Sequence, residues 1–400
     1  MKASNKPVAV IFGAGSVGRG FMGQLFNESG YQVVFVDVDD LLVEALTTAG
    51  AYTLRLASLQ KTEDLRIGPV RAVDGRDTAS VAAEVAQAKI LATAVGARAL
   101  RAIAKPIATG LVQRWQTGAS EPQNIILCEN LHDAPDQLRR FVSDELPDSQ
   151  RKTLDERVGF VSTVIARMSP VPTPELRAAD PTLIVAEPYK VLPVDREAFV
   201  GTIPEIVGMW PVSPFNAYVE RKLYIHNAGH AMLGYLGYQR GYAYGYDALL
   251  DSGIYQLLNS ALTESSRALI VEHGLDAVAL SENVQYLLDR FANRALGDPI
   301  DRLARDPLRK LAPGDRLAGA ARLAQKAGIQ PKGLAWGIAA AVAYDNPDDP
   351  HAAKLQAKLA RTDLKQVLLE VCDIQPDEEL AQLVSERYEL LLHDPEWQPR

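Results

Sequence analysis

The chain has 400 residues, of which 47% are hydrophobic and 23% are charged, as expected for a globular protein of two or three domains. Its formal net charge of −8 argues against general nucleic-acid binding, and no apolar run reaches the roughly 20 residues that a membrane-spanning helix requires. Residues 1–7 lead directly into an apolar segment and leave no room for a signal peptide, and Cys128 and Cys372 are too few and too distant for a disulfide framework. We therefore expect a cytoplasmic protein without membrane or nucleic-acid partners.

The N-terminal segment has the order of elements that binds a dinucleotide. Residues 8–12 (VAVIF) form an apolar, β-branched run typical of a buried parallel strand, and G-x-G-x-x-G follows at residues 13–18. A helix is predicted over residues 20–29, and a second strand over residues 32–36 ends at Asp37. A glycine-rich turn without a ligand is the alternative, but the complete unit favours a Rossmann-like nucleotide site.

Each position of this turn has a physical reason. Gly13 permits the tight turn, Gly15 lets the backbone approach a pyrophosphate, and Gly18 permits close packing of the helix on the strand. Asp37 can bond the ribose hydroxyls and would repel a 2′-phosphate, and no arginine follows it, so NAD is favoured over NADP. The predicted cofactor residues of this unit are Gly13, Ala14, Gly15, Ser16, Val17, Gly18 and Asp37.

Two further parallel strands are predicted at residues 89–96 and 124–128. Loops at the carboxyl ends of parallel strands line the cofactor crevice of such a sheet, which makes Thr93 and Gly96 predicted cofactor neighbours, with a plain tight turn as the alternative. Asn130 follows the second strand and could donate a hydrogen bond to a substrate oxygen. Its alternative role is to cap the helix predicted over residues 133–146.

From about residue 195 onward the apolar residues recur at helical spacing instead of strand spacing. Helices are predicted over residues 252–273, 278–291, 314–328, 333–344, 350–360 and 377–392. We therefore predict an α/β fold in which residues 1–194 form a Rossmann-like NAD-binding domain. Residues 195–400 are predicted to form a mainly α-helical domain for substrate binding and catalysis.

The segment from Lys222 to His230 gathers polar side chains at helical spacing. At 100° per residue, four side chains fall within an arc of about 140°, namely those of Lys222, His226, Asn227 and His230. An amine, an amide and two imidazoles on one face suit the handling of a sugar hydroxyl or carbonyl, and the alternative is a partly exposed helix with ordinary polar residues. The sequence HNAGH lacks the glutamate of HExxH, so we expect no metal site.

A basic stretch at residues 290–316 contrasts with the acidic chain. It contains seven basic and four acidic residues, a local charge of +7 − 4 = +3. Arginine and lysine clusters bind phosphate through charge-assisted hydrogen bonds, and the candidate ligands are Arg309 and Lys310, followed by Arg305 and Arg316. The alternative is a solvated helix surface with local ion pairs, such as one between Asp301 and Arg305.

Several motifs resemble those of the polyol-specific long-chain dehydrogenases. K-x4-N-x2-H at Lys222, Asn227 and His230 resembles the active-site motif of that family. Further matching segments run in order along the chain: FGAGSVGRGFMG at 12–23, TAVG at 93–96, NIILCEN at 124–130, VERKLYIHNAGHA at 219–231 and DPLRKLAPGDRL at 306–317. The resemblance implies a Rossmann-like domain followed by a helical domain, and metal-free, NAD-linked, reversible oxidation of D-mannitol 1-phosphate to D-fructose 6-phosphate.

The resemblance also implies roles for individual residues. Lys222 is expected to be the general base, while Asn130, Asn227 and His230 are expected to orient the substrate and stabilise charge on the reacting oxygen. A monomer is expected. FANRAL at residues 291–296 departs from an expected Asn-Pro pair, and His226 stands at a position that is expected to be apolar. An unphosphorylated polyol or a hexuronate as substrate, and a non-catalytic NAD-binding protein, remain the alternatives.

Overall fold

The computed structural model describes residues 6–129, 131, 133–170, 172–394 and 397. The chain forms two compact units, Met1–Phe215 and Asn216–Arg400. The division lies later in the chain than the boundary after residue 194 that the change of pattern suggested. The reason is local, because a strand at Leu192–Asp195 pairs in parallel with a strand at Met209–Val212, so the chain is still part of a small sheet beyond residue 194.

The N-terminal unit is built on a six-stranded parallel sheet with the strand order β5-β2-β1-β6-β7-β8. A second sheet has the order β4-β3-β9, and β10 pairs with β11. The strands are β1 Val8–Phe12, β2 Gln32–Asp37, β3 Tyr52–Ala57, β4 Thr62–Ile67, β5 Val70–Asp74, β6 Ile90–Thr93, β7 Gln123–Leu127, β8 Val158–Ser162, β9 Ile184–Ala186, β10 Leu192–Asp195 and β11 Met209–Val212. This topology, with strand order reversing about β1, is that of a Rossmann domain, as predicted.

Both faces of the six-stranded sheet are covered, which explains the uninterrupted apolar sequence of its central strands. Alternate residues of β1 belong to different apolar clusters, with Ile11 in one cluster and Val10 in the other. The helices of this unit are α1 Gly23–Glu28, α2 Asp40–Ala49, α3 Thr78–Gln87, α4 Leu100–Gln116, α5 Ala134–Asp144, α6 Asp148–Arg157 and α7 Pro174–Ala179.

The second unit is mainly helical, as the change of periodicity predicted. Its helices are α8 Phe215–Arg221, which starts at the unit boundary, α9 Ala228–Gln239, α10 Gly245–Ala248, α11 Ser252–His273, α12 Ala277–Phe291, α13 Ile300–Ala304, α14 Pro307–Lys310, α15 Ala318–Lys326, α16 Lys332–Val342, α17 Pro350–Leu359, α18 Leu364–Cys372 and α19 Glu379–His393. Helix α16 is buried from Gly333 to Val342 and is the apolar centre of this unit. None of the helices in the described part of the chain is long and apolar enough to span a membrane.

Candidate active site

The glycine-rich turn after β1 has a shape that other residues could not adopt. Gly13 has a φ of 93°, in the left-handed region, and its N–H donates to the carbonyl of Val36 at 2.7 Å. A Cβ on Gly18 would collide with the carbonyl oxygen of Gly13, so only glycine allows the close packing of the helix on the strand that the motif predicts. At Gly15, by contrast, a Cβ would have no neighbour within 4 Å among the described atoms. The backbone at Gly15 is therefore open to a ligand.

Asp37 at the end of β2 fixes this turn. Its carboxylate accepts hydrogen bonds from the N–H groups of Ala14 at 2.6 Å and Val38 at 2.8 Å. Asp37 is thus held at the carboxyl edge of the sheet with its negative charge beside the turn, as the fingerprint requires for a ribose-binding acid. The N–H groups of Gly15, Ser16 and Val17 have no acceptor among the described residues. Such consecutive unpaired N–H groups form a site for an anion.

The helix after the turn differs from the expected α-helix over residues 20–29. It begins as a π-helix, Gly18–Met22, in which the N–H of Met22 donates to the carbonyl of Val17 at 3.0 Å, and continues as α1. A π-turn widens the backbone, and such turns are frequent at functional sites. A pattern with a period of 3.6 residues cannot distinguish this start from an ordinary α-helix.

Glu129 is a site residue to which the sequence reasoning gave no role. It is buried at the end of β7, where it accepts hydrogen bonds from the hydroxyl of Thr93 at 2.5 Å and the N–H of Val95 at 3.1 Å. Burial raises the pKa of this carboxyl. The signal was available, because β6 and β7 are parallel neighbours and their ends meet. Thr93 and Gly96 lie at this edge of the sheet, whereas Asn130 lies outside the described residues.

The Lys222 segment is helical, but its first part is not an α-helix. Lys222–Asn227 forms a π-helix that continues into α9. The rotation of 100° per residue used for the expected arc therefore does not hold before Ala228, because a π-turn contains more residues. The segment nevertheless brings imidazoles together, since the rings of His226 and His230 lie 4.8 Å apart in an edge-to-face arrangement. The ring of His230 also stacks on Phe291 at 4.0 Å.

The surroundings of Lys222 favour the neutral form of its amine. Burial, Arg316 and, more weakly, Arg309 lower the pKa of Lys222 to about 8, and Asp315 opposes this shift. The cations that lower this pKa are distant in sequence, whereas the guanidinium of the sequence neighbour Arg221 lies 4.9 Å from the ring centre of Tyr218. An amine with this pKa is partly neutral near neutral pH and could accept a proton.

Burial and nearby cations also lower the pKa of His226 and of His230 well below the usual value. Both imidazoles are therefore neutral at pH 7, and each offers one N–H donor and one acceptor nitrogen. Asn227 ends the π-helix and is half-buried. Among the described residues, no group of three or more His, Cys, Asp and Glu side chains could hold a metal ion.

The basic residues of 290–316 are not equivalent in the structure. The Nε and the backbone N–H of Arg316 both donate to Asp315 Oδ1 at 2.6 Å, which fixes a mostly buried guanidinium. Arg309 is half-exposed and bonds to Asp306 at 2.7 Å, and Arg305 is exposed. The alternative, local ion pairs, is represented in this stretch by a pair of Asp298 with Arg302 and not by the example of Asp301 with Arg305.

Lys310, a leading candidate for phosphate binding, points into the protein. Its side chain is 4% exposed, and its ammonium group donates to the carbonyl of Leu303 and lies 5.3 Å from the ring centre of Tyr235. Burial and Arg316 lower its pKa to about 7. The amphipathic pattern of the sequence could not reveal this orientation, because α14, Pro307–Lys310, is a single turn.

Comparison with known proteins places this geometry in a family. Residues 7–208 match the family model of the mannitol dehydrogenase Rossmann domain, and residues 215–392 match that of the mannitol dehydrogenase C-terminal domain. The chain is 36% identical over 378 residues to mannitol-1-phosphate 5-dehydrogenase of Bacillus licheniformis, covering 94% of this chain and 98% of that protein. It is 37% identical over 380 residues to the protein of the same name from Brevibacillus brevis, covering 95% and 97%.

Solved structures share the fold at low sequence identity. A substrate-free D-sorbitol dehydrogenase matches with a TM-score of 0.82 and 19% identity over 98% of this chain and 94% of that chain. The ternary complex of Pseudomonas fluorescens mannitol 2-dehydrogenase with NAD and D-mannitol matches with a TM-score of 0.74 and 19% identity over 98% and 93%. At this identity the likeness concerns the fold. The two family models, however, together cover nearly the whole chain, which therefore belongs to the mannitol dehydrogenase family.

Proposed function

We propose that this protein is an NAD-dependent dehydrogenase that interconverts D-mannitol 1-phosphate and D-fructose 6-phosphate. The observation that carries the proposal is the environment of Lys222, a lysine with a lowered pKa beside the partly buried cation Arg316. A base and a phosphate ligand are the two groups that this reaction needs from the C-terminal unit. The names of the relatives, which match over nearly the full chain, support the same substrate.

The residues present fit a dinucleotide. The N–H groups of Gly15, Ser16 and Val17 would hold the pyrophosphate, and Asp37 would hold the adenosine ribose and disfavour a 2′-phosphate. Thr93 and Gly96, at the carboxyl edge of the same sheet, are the further proposed neighbours. Bound NAD supplies the hydride acceptor. We assign cofactor binding to the unit Met1–Phe215 and substrate chemistry to the unit Asn216–Arg400.

The protein's own side chains carry the proton chemistry. Neutral Lys222 accepts the proton of the substrate hydroxyl during oxidation and, as the ammonium ion, returns it during reduction. Asn227 and His230 donate hydrogen bonds to the reacting oxygen and the neighbouring hydroxyl. The role of Asn130 as a further donor stays a proposal. A lysine amine that is partly neutral near neutral pH performs this step without a metal ion.

Arg316 is the best placed ligand for the substrate phosphate. Its charge contributes to the lowered pKa of both Lys222 and Lys310, so it lies near both amines. Its terminal nitrogens have no partner among the described residues, because only its Nε and its backbone N–H form hydrogen bonds there. Arg309 is the second proposed ligand and the exposed Arg305 the third, whereas Lys310 is buried and donates to the carbonyl of Leu303.

The proposal is tested by NADH oxidation with purified protein and three acceptors: fructose 6-phosphate, fructose and tagaturonate. Rapid oxidation with fructose 6-phosphate alone is expected, since only this ketose carries the dianion that Arg316 would bind. Activity with fructose or with the uronate instead would leave the base and the cofactor in place but would refute the phosphate specificity. Absence of turnover with all three, together with tight NADH binding, would indicate a non-catalytic protein.

We also propose that the protein is a monomer that acts in the cytoplasm. The two cysteines are free and buried, which fits a reducing compartment. Sedimentation equilibrium is expected to give a mass near the 43.6 kDa of one chain. A mass that is a multiple of this value would refute the monomer.

A further inference from the structure

Arg19, in the π-helix directly after the glycine-rich turn, is a buried cation that neither the motif nor the proposed chemistry uses. Its Nε donates to the carbonyl of Ala14 at 2.5 Å, and its Nη1 donates to the carbonyl of Thr182 at 2.5 Å. A longer contact of 3.4 Å joins Nη1 to the carbonyl of Pro181. The side chain is 7% exposed. Arg19 therefore connects the cofactor turn to the segment that precedes β9.

These bonds leave the charge of Arg19 without a counter-ion. No carboxylate of the described residues lies within ion-pair distance, and the groups that Nε and Nη1 contact are neutral carbonyls. Burial lowers the pKa of the guanidinium, with Asp37 and Asp180 acting on it only from a distance. A guanidinium carries five N–H donors, and its Nη2 has no acceptor in the described part of the chain. Buried charges in proteins are normally paired, so this cation lacks an anion.

The adjoining glycine-rich turn contains a second, independent feature that calls for an anion. The N–H groups of Gly15, Ser16 and Val17 are unpaired among the described residues, and Gly15 has open space beside it. Ala14 lies between the two features, since its N–H is held by Asp37 and its carbonyl by Arg19. The cation and the N–H groups are thus fixed to one short piece of backbone.

We propose that Arg19 is a ligand of the cofactor pyrophosphate, which its Nη2 edge binds while Nε and Nη1 hold the turn in shape. The inference rests on the proposed binding of NAD. The pyrophosphate is the only anionic part of that cofactor, so it is the group that would compensate the guanidinium charge. The bond to Thr182 then makes the segment before β9 part of the cofactor site, although it lies far from the fingerprint in sequence.

The test compares two ligands that differ in the pyrophosphate. ADP-ribose contains it and adenosine lacks it, and neither undergoes turnover, so calorimetric binding tests the site without the reaction. In the variant Arg19→Met, the Kd of ADP-ribose is expected to rise about 10- to 100-fold, as for the loss of a charge-assisted bond. The Kd of adenosine is expected to change by less than about threefold. The matched control is Arg177→Met, which removes an exposed cation whose charge also acts on Arg19.

Each outcome decides the proposal. Equal losses of affinity for ADP-ribose and for adenosine would mean that Arg19 only shapes the turn, and this result would overturn the proposal. An unchanged affinity for ADP-ribose would also overturn the proposal. If Arg19→Met does not fold by circular dichroism, Arg19→Lys and Arg19→Gln replace it. The lysine, which keeps the charge, is then expected to bind ADP-ribose at least fivefold more tightly than the glutamine, and equal affinities overturn the proposal. Binding of ADP-ribose by wild-type protein without turnover of any polyol would refute the proposed function and leave this inference standing.

Discussion

The chemistry of this protein depends on how single residues are charged, and Lys222 is the clearest case. Its pKa is lowered to about 8, and after burial the largest cause is Arg316. An amine that must be neutral to accept a proton becomes active as the pH rises through its pKa. Lys222→Ala is expected to lose almost all turnover, since no other group of the site is assigned the proton.

The first prediction concerns the pH dependence of kcat. For oxidation of mannitol 1-phosphate, kcat is expected to rise with pH with a midpoint at about 8. For reduction, kcat is expected to fall over the same interval, because the ammonium form is then required. Arg316→Met removes a cation that lowers the pKa of Lys222. The midpoint is therefore expected to move to higher pH.

The control for this shift is Arg294→Met, because Arg294 is an exposed cation of the same basic stretch that pairs with Asp247. Its profile is expected to coincide with that of the wild type. The measurement is initial rate at saturating substrate from pH 6 to 10.5, in both directions. A midpoint that does not move in Arg316→Met would contradict the role of Arg316 in setting the pKa.

The second prediction separates phosphate binding from catalysis. Arg316→Met and Arg309→Met are each expected to lower kcat/KM for fructose 6-phosphate about 10- to 100-fold more than kcat/KM for fructose, because each removes a charge-assisted bond to a phosphate that fructose lacks. Any effect on the base cancels in this ratio, since both substrates use Lys222. Arg294→Met should leave the ratio unchanged. Equal losses on the two substrates would place the phosphate elsewhere.

Sequence reasoning reached some residues of the site and missed others for a physical reason. The glycines and Asp37 were predicted because their roles follow from local backbone geometry. The charged groups that shift the pKa of Lys222 were not predicted, because Asp315 and Arg316 are distant from it in sequence and approach it only through the packing of helices. The inward orientation of Lys310 was missed for the same reason.

At the scale of elements, π-helices mark both proposed chemical sites. Gly18–Met22 follows the cofactor turn, and Lys222–Asn227 carries the proposed base. Each continues directly into an α-helix, α1 or α9, so the change of pitch is local. Apolar periodicity averages over many residues and predicts the helix but not the wider turn within it.

Helix bounds were predictable where caps and periodicity agree. Helix α11 was predicted at its observed bounds, since Asp251 accepts hydrogen bonds from the first N–H groups and Gly274 ends the helix with a φ of 65°. Helix α6 was not predicted, because Leu154 is its only buried residue and no apolar pattern exists to detect. Tertiary contacts, not amphipathicity, therefore decide such short surface helices.

The third prediction concerns a buried cap. Glu264 on α11 accepts hydrogen bonds from the N–H groups of Gly333 at 2.7 Å and Leu334 at 3.0 Å, at the start of the buried helix α16. Glu264→Ala leaves both N–H groups buried without this acceptor and is expected to lower the free energy of unfolding by about 2–4 kcal/mol. Glu264→Gln, which keeps one carbonyl acceptor, should lose less.

The measurement is urea unfolding followed by circular dichroism, with activity recorded at a temperature where all variants are folded. Glu282→Ala, at an exposed position of α12, serves as control and is expected to change stability by less than about 0.5 kcal/mol. A loss for Glu264→Ala as small as that of the control would contradict the cap.

For the whole molecule, the order of patterns along the chain was sufficient to predict the class of fold. The complete dinucleotide-binding motif at the start of the sequence corresponds to the parallel sheet of the N-terminal unit. The helical periodicity after about residue 195 corresponds to the helices of the second unit. The division between the units was harder to predict, because β10 and β11 are short and one of them contains a proline at Pro193 and the other at Pro211. Strands of this kind give little alternation to detect.

The fourth prediction follows from the source of the proton acceptor. A zinc-dependent dehydrogenase loses activity when its metal is removed, whereas here we propose an amine as the base and side chains as the oxyanion donors. Dialysis against EDTA and 1,10-phenanthroline is therefore expected to leave kcat and KM unchanged, and elemental analysis is expected to find less than about 0.1 metal ion per chain.

Restoration of a lost activity by added zinc would show that Lys222 does not act alone. The pH midpoint near 8 would then belong to metal-bound water, which titrates in the same range. A midpoint that stays in place in Arg316→Met would indicate metal-bound water, and a midpoint that moves would indicate Lys222.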